Sequence, residues 1–202
     1  MSSSMSSYGH VNGDTSHDYH EIEFHGDIIS VTVTKSPEIV DDWIDKVKKE
    51  NSNEHTLGLD CEWVPNEIKH GERNPVAVIQ VNVGQMCLIY QVGLAQKVPL
   101  SLKEFIESTS HSFAGVGIDN DVNGLEEDWK VKVGNTLELK NMAYDIMGLD
   151  KSMGLKTLAA AVLGKSLEKP KDVSRSDWGR ERLTRKQVEY AGLDAFGSEK
   201  AY

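Results

Sequence analysis

The stretch Leu57-Gly58-Leu59-Asp60-Cys61-Glu62-Trp63-Val64 decides the fold, because its apolar and polar residues alternate strictly. Alternation with a period of two is typical of a β-strand. One face of this strand then carries the apolar side chains, and the other carries Asp60 and Glu62 side by side. Two neighbouring carboxylates repel each other unless a cation lies between them. Taken alone, the pattern is more often a strand with a solvated face than a metal site.

A second acidic signal follows the sequence Gly115-Val116-Gly117-Ile118. The short apolar run with two glycines predicts a strand over residues 112–118, and Asn120 or Asp121 then opens a helix. An aspartate at a helix start often serves only as an N-terminal cap. Asp119 competes with Asp121 for any functional role, and the spacing does not choose between them.

A third signal lies near the C-terminus, where the sequence from Thr184 to Gln187 fits a capping box and predicts the start of a helix. Tyr190 and Asp194 are four residues apart on this helix and therefore share one face. The pair fits a local hydrogen bond. It equally fits a site in which Asp194 binds a metal ion and the Tyr190 hydroxyl orients a water molecule.

Together these segments resemble the three motifs of the DEDDy 3′–5′ exonucleases, at residues 59–63, 115–121 and 190–195. The connecting residues 154–165 and 176–178 resemble the Werner-type exonuclease domain, and the likeness runs from about residue 57 to the end of the chain. The resemblance implies an α/β fold of the ribonuclease H-like kind, with a mixed five- to six-stranded sheet flanked by helices. It also implies a single exonuclease domain over residues 21–202.

The resemblance assigns roles to the acidic residues. It selects Asp121 over Asp119 and implies that two divalent ions are bound by Asp60, Glu62, Asp121 and Asp194. It gives Tyr190 the role of orienting the attacking water, and it implies release of nucleoside 5′-monophosphates from the 3′ end of a strand. Because every ligand is a hard oxygen, Mg²⁺ or Mn²⁺ is favoured over Zn²⁺.

The net charge of −10 argues at first against a nucleic-acid substrate. However, four of these negative charges belong to the metal-binding set, and residues 165–186 hold eight basic against four acidic residues. A solvated loop of mixed charge explains this stretch equally well. The candidate nucleic-acid contacts are Lys171 and Arg175 within it, and Trp63, Lys69 and Arg73 after the first motif. The modest basic excess predicts weak, salt-sensitive binding.

Three functions remain open at this point. We expect a single-stranded RNA substrate, because the chain is small and has no strong basic patch. A Werner-type DNA exonuclease is the first alternative, and a non-catalytic nucleic-acid-binding or assembly module on the same fold is the second. A further resemblance to the plant RISC-interacting clearing exoribonucleases implies RNA-silencing partners. Gly192 and Gly197 weaken the last helix by about 1 kcal/mol each relative to Ala, so we expect packing from a neighbouring subunit in a homo-oligomer that completes the substrate groove.

The rest of the chain supports one soluble domain. Residues 1–20 are rich in Ser, Gly, Asp and His and predict a disordered polar tail. Cys61 and Cys87 fall in predicted strands and indicate reduced, buried thiols, so we expect a cytoplasmic and also nuclear protein. Further elements are a hairpin over residues 21–34, strands over 57–64, 76–83, 86–92, 112–118 and 136–139, and helices over 37–47, 101–108, 121–129, 141–147, 154–163 and from 184.

Overall fold

The computed structural model describes residues 17–51, 53–65 and 73–202. These residues form seven strands and eight helices. The strands are His17–Phe24 (β1), Asp27–Thr34 (β2), Thr56–Trp63 (β3), Val76–Val83 (β4), Met86–Tyr90 (β5), Ser112–Gly115 (β6) and Thr136–Glu138 (β7). The helices are Pro37–Glu50 (α1), Val92–Ala95 (α2), Leu100–Glu107 (α3), Asp119–Trp129 (α4), Leu139–Met147 (α5), Leu155–Leu163 (α6), Lys171–Ser174 (α7) and Arg185–Lys200 (α8).

All seven strands form one mixed sheet in the order β1-β2-β5-β4-β3-β6-β7. The pairs β1–β2, β5–β4 and β4–β3 are antiparallel, whereas β2–β5, β3–β6 and β6–β7 are parallel. The mixed α/β architecture expected from the sequence is confirmed. The sheet has seven strands rather than five or six, because both strands of the N-terminal hairpin join it through β5.

The alternation along β3 distributes its side chains between two apolar cores. Leu57, Leu59 and Cys61 pack with α1 and α3 on one face of the sheet. The opposite face carries Gly58, Asp60 and Glu62 and is covered by α8. Burial of the first face fixes the register of the strand, since a slip of one residue would expose the apolar set. The same register therefore fixes the side on which the two carboxylates lie.

Helix α8 packs so closely on the sheet that most of its residues are buried. The Cβ atom of an alanine at position 58 would lie 1.8 Å from the backbone oxygen of Ala195. Gly192 and Gly197 also make close approaches, to Ile22 and Leu167 respectively. The glycines that lower the helix propensity thus allow tight packing, and the chain's own sheet supplies the packing that we expected from a neighbouring subunit.

Several boundaries differ from the predicted ones. Strand β1 begins at His17, inside the predicted tail of residues 1–20, because main-chain pairing with Thr34 orders this polar segment at the sheet edge. Residues 1–16 lie outside the described residues. Strand β6 ends at Gly115, since Gly117 adopts a φ of 75°, and α4 already begins at Asp119. The short helices α2 and α7 were not predicted. Both cysteines are free and buried, as expected.

No helix among the described residues is long and apolar enough to cross a bilayer.

Candidate active site

Three of the predicted carboxylates meet where α8 crosses β3. Asp60 and Glu62 project from the strand toward α8, and Asp194 projects from α8 toward them. Each contributes one carboxylate oxygen to a group whose members all lie within 4.8 Å of one another. Asp194 is 1% exposed and Glu62 is 9% exposed, so these two carboxyl groups are buried beneath the molecular surface.

The fourth carboxylate is that of Asp121, on the first turn of α4. Asp121 is 5% exposed, whereas Asp119 faces solvent. The negative charge of Asp60 contributes to the raised pKa of Asp121, which places the two side chains near each other. Of the two candidates, Asp121 is therefore the buried one and is influenced by the charge of Asp60, although it is not among the three residues whose oxygens lie within 4.8 Å of one another.

The electrostatics of the group favour cation binding. Burial raises the pKa of each of the four carboxyl groups above its ordinary value. For Asp60, Glu62 and Asp121, the negative charges of neighbouring members raise the pKa further. Carboxylates that are buried together without full compensation are costly to ionise.

Two residues lie beside Asp194, namely Tyr190 on α8 and Lys169 on the loop before α7. The ammonium nitrogen of Lys169 lies 2.5 Å from Oδ2 of Asp194 and 5.2 Å from the ring centroid of Tyr190. Burial would lower the pKa of Lys169, but the charges of Asp194 and Asp60 outweigh it and raise the pKa. Burial and the charge of Asp194 also raise the pKa of Tyr190, so its phenol stays protonated at neutral pH.

The donor set fits hard divalent cations. Both side-chain oxygens of Asp194 are buried, and Oδ2 lies beside the Lys169 ammonium. A buried carboxylate needs a positive partner, so this position is suited to a cation. Asp60, Glu62 and Asp194 lie close enough together to offer oxygen ligands to one ion. Oxygen-only ligands match Mg²⁺ and Mn²⁺.

A cleft of about 700 Å³ opens beside the carboxylates. Glu62 and Trp63 line it, as do Asn120, Asn123 and Arg175. The cleft is wide enough for a nucleotide and offers an aromatic ring, amides and a cation, which are the groups that bind single-stranded nucleic acid.

The predicted nucleic-acid contacts are distributed unevenly. Trp63 and Arg175 line the cleft, and Arg73 also lines it. However, the Arg73 guanidinium is 2.6 Å from Glu127 and 2.7 Å from Asp128, so acidic partners offset its charge. Lys171 lies on the first turn of α7 and is absent from the residues that line the cleft. Lys69 lies outside the described residues.

Sequence reasoning did not single out three polar residues beside the site. Lys169 was counted only within the basic stretch, although it contacts Asp194. Gln80 is fully buried on β4 directly opposite Asp60, and neither of its amide atoms has a hydrogen-bond partner in the described chain. Glu199 accepts hydrogen bonds from Asn82 and the Gly84 amide, which ties α8 to the β4–β5 turn. A polar residue inside the apolar run of β4 was the available signal for Gln80.

Comparison with known proteins agrees with this geometry. Residues 31–196 match the model of the family described as 3′–5′ exonuclease. The chain is 36% identical over 146 residues to the mouse bifunctional 3′–5′ exonuclease/ATP-dependent helicase WRN, which covers 72% of this chain and 10% of that protein. It is 31% identical over 156 residues to an Arabidopsis thaliana 3′–5′ exonuclease, which covers 77% of this chain and 54% of that one. The chain thus spans about a tenth of the length of the mouse protein and about half of the length of the Arabidopsis protein.

Solved structures show the same fold. The EXD2 exonuclease domain soaked in Mn and Mg superposes with a TM-score of 0.51 at 25% identity, covering 85% of this chain and 86% of that domain. Escherichia coli RNase D superposes with a TM-score of 0.67 at 18% identity, covering 82% of this chain and 41% of that protein. The latter likeness concerns the fold alone.

Proposed function

Because the chain belongs to the 3′–5′ exonuclease family, we propose that it removes nucleotides from the 3′ end of single-stranded nucleic acid, with RNA as the favoured substrate. The observation that carries this proposal is the group of Asp60, Glu62 and Asp194, of which Glu62 also lines an open cleft. The products are nucleoside 5′-monophosphates and a strand shortened by one nucleotide with a free 3′ hydroxyl.

The carboxylates act as ligands of two divalent ions in this proposal. Bound there, the ions would supply a water of lowered pKa and charge stabilisation at the leaving 3′ oxygen. Asp60, Glu62 and Asp194 hold one position, and Asp60 with Asp121 holds the other. The EXD2 domain soaked in Mn and Mg supports this choice of metals. Tyr190 keeps its proton and orients the attacking water through its hydroxyl, since a phenol with a reference pKa near 10 is a poor base at neutral pH.

The depth of the site favours an unpaired strand end. Glu62, Asp121 and Asp194 are all buried, and Glu62 lines the cleft. A scissile phosphate reaches them only if the last nucleotide enters the cleft, which a base-paired end resists. Trp63 also lines the cleft and offers an aromatic face for stacking, a contact worth about 1–3 kcal/mol per base.

The side chains of Asn120 and Asn123 support RNA over DNA. Both are exposed amides on α4 that line the cleft, where they can hydrogen bond a 2′-hydroxyl. The 2′-hydroxyl is the group by which a protein distinguishes RNA from DNA at a given site. A Werner-type DNA exonuclease, as the resemblance of the sequence implies, is the second candidate, and matched RNA and DNA oligonucleotides distinguish the two. We expect faster release of nucleotides from RNA than from DNA, and Asn123→Ala is expected to reduce that difference in rate.

The test of the proposed function uses 3′-labelled oligonucleotides and the variants Asp60→Ala and Asp121→Asn. We expect each variant to lose at least about a thousandfold in rate, with Mg²⁺ or Mn²⁺ added singly. Asp119→Asn is the matched control, because it removes an exposed carboxylate two residues from Asp121 on the same helix, and it is expected to retain the full rate. Unchanged activity of Asp60→Ala would overturn the proposal. An inactive wild type with every metal would favour the non-catalytic binding module.

A further inference from the structure

Lys169 is placed against the carboxylates by the segment that leads into α7. Leu167, two residues earlier, is fully buried and occupies the space that Gly197 leaves on α8. Pro170, the next residue, precedes the first turn of α7. With Leu167 anchored on α8, the side chain of Lys169 reaches back one turn of that helix to Asp194.

The contact joins a partly exposed lysine side chain to a buried carboxylate. The ammonium of Lys169 lies 2.5 Å from Oδ2 of Asp194, and the Lys169 side chain is 27% exposed while that of Asp194 is 2% exposed. Lys169 therefore meets Asp194 on one side and solvent on the other. Its flexible four-carbon stem allows the ammonium to move between these two environments.

Whether Lys169 pairs with Asp194 depends on the other charges beside the carboxylates. In the absence of metal, the single positive charge of Lys169 faces the negative charges of Asp60, Glu62 and Asp194 and offsets part of their repulsion. Two divalent ions neutralise the four carboxylates without any help from Lys169. The ammonium then lies beside cations at short range, where like charges repel strongly in a poorly solvated site. The positive charge of Lys169 is then in excess, and it matches the single negative charge of a phosphodiester.

We propose that Lys169 is a substrate-binding residue that pairs with Asp194 in the metal-free protein and turns to the phosphate of the terminal nucleotide when divalent ions occupy the carboxylates. This inference rests on the proposed function for its second half only. The first half concerns the protein and its metal ions alone, so the two halves are testable separately.

Metal affinity tests the first half. Calorimetric titration of the full-length, EDTA-treated chain with MnCl₂ is compared for wild type and Lys169→Gln. Removal of a competing cation is expected to tighten Mn²⁺ binding about tenfold, the low end for loss of a close charge pair. Lys156→Gln is the control, since Lys156 lies on α6 and pairs only with the exposed Glu168 in the described contacts. Equal or weaker Mn²⁺ binding by Lys169→Gln would overturn the competing role.

Turnover at saturating Mn²⁺ tests the second half. For Lys169→Gln, kcat/KM on a single-stranded oligonucleotide is expected to fall about ten- to a hundredfold, as for loss of one charged donor. Lys169→Arg is expected to recover most of it, because the positive charge returns. A merely structural role would lower both metal affinity and turnover and would lower the melting temperature. Full turnover by Lys169→Gln would exclude the phosphate contact. Failure of the wild type to cleave would reject the proposed function while the Mn²⁺ titration still decides on Lys169.

Discussion

Gly58 illustrates how one residue without a side chain positions the site. A Cβ atom at this position would lie 1.8 Å from the backbone oxygen of Ala195, the residue after Asp194. Because backbone cannot rotate away as a side chain does, any larger residue must push α8 off the sheet. The distance between Asp194 and the two carboxylates on β3 therefore depends on a glycine that carries no chemistry itself.

We expect Gly58→Ala to lower the free energy of unfolding by about 3 kcal/mol or more through overpacking, and to abolish most of the nuclease activity. Urea denaturation and an oligonucleotide assay measure the two effects. Gly154→Ala is the matched control, because an alanine Cβ at that position would have no heavy atom within 4 Å and the φ of Gly154 is −84°. A stable, fully active Gly58→Ala protein would show that α8 tolerates displacement.

Gln80 gives a second prediction at this scale. Its amide is buried opposite Asp60 without a hydrogen-bond partner in the described residues. A buried unpaired amide is a cost, so Gln80→Met is expected to change stability by less than about 1 kcal/mol or to raise it. Thermal unfolding measures this outcome. A clear loss of stability would mean instead that water or a neighbouring carboxylate satisfies the amide in solution.

At the scale of single elements, α8 is the helix on which the site depends. Its N-terminus has a full capping box, in which Thr184 and Gln187 satisfy each other's backbone amides. Gln187 also donates to Ser176 and to the backbone oxygen of Asp177, so the cap is joined to the loop that follows α7. At its other end, Glu199 bonds to the β4–β5 turn. Tyr190 and Asp194 lie between these two fixed ends.

Removal of the cap is expected to affect stability and function together. Thr184→Ala should cost about 1 kcal/mol of stability and should lower kcat, because the Tyr190 hydroxyl loses its fixed position. Ser36→Ala serves as the control. It removes the N-terminal cap of α1, in which the Ser36 side chain accepts a hydrogen bond from the Ile39 amide. It is expected to lower stability to a similar degree without changing kcat. Equal kcat values for both variants would show that the cap has no functional role.

The sequence predicted these elements well where the signal was local. The capping box, the alternation of β3 and the end of α6 at Leu163 all lie where the local sequence indicated. The long-range contacts were not readable. Lys169 reaches Asp194 only because Leu167 anchors its loop on α8. The charge of Arg73 is offset only because α4 brings two acidic residues beside it. Neither contact has a local sequence pattern.

For the whole molecule, the four carboxylates link stability to pH and to metal. Their pKa values are raised in the folded, metal-free protein, so the folded chain binds more protons than the unfolded chain. Stability from these groups is complete below their unfolded pKa, near 4, and is lost as pH rises through the folded values. The half-buried His20 and His111 have lowered pKa values and act in the opposite sense, but only below about pH 6.5.

We therefore expect the melting temperature in EDTA to fall between pH 7 and pH 8.5. Mn²⁺ is expected to restore the stability, by about 2.7 kcal/mol at a hundred times its dissociation constant. Calorimetry with and without Mn²⁺ measures both effects. Asp60→Asn is the control, because it removes a member of the group and should flatten the dependence on pH. A melting temperature in EDTA that rises over this range would contradict the assignment.

The subunit composition is a separate prediction at this scale. The packing of α8 is supplied within the chain, so a neighbouring subunit is not needed to hold Tyr190 and Asp194. A homo-oligomer that extends the cleft stays a prediction, for which light scattering on the purified chain gives the mass. A monomer with full activity would show that one cleft is sufficient.

The positions of the four carboxylates along the chain have a consequence for the timing of synthesis. Asp60 and Glu62 are translated well before Asp194, which lies on the helix that closes the sheet. Domains fold as their residues leave the ribosome, N-terminal parts first. A chain in which α8 has not yet been synthesised accordingly lacks one of the four carboxylates. The proposed metal site therefore cannot be complete until α8 has left the ribosome and packed on the sheet.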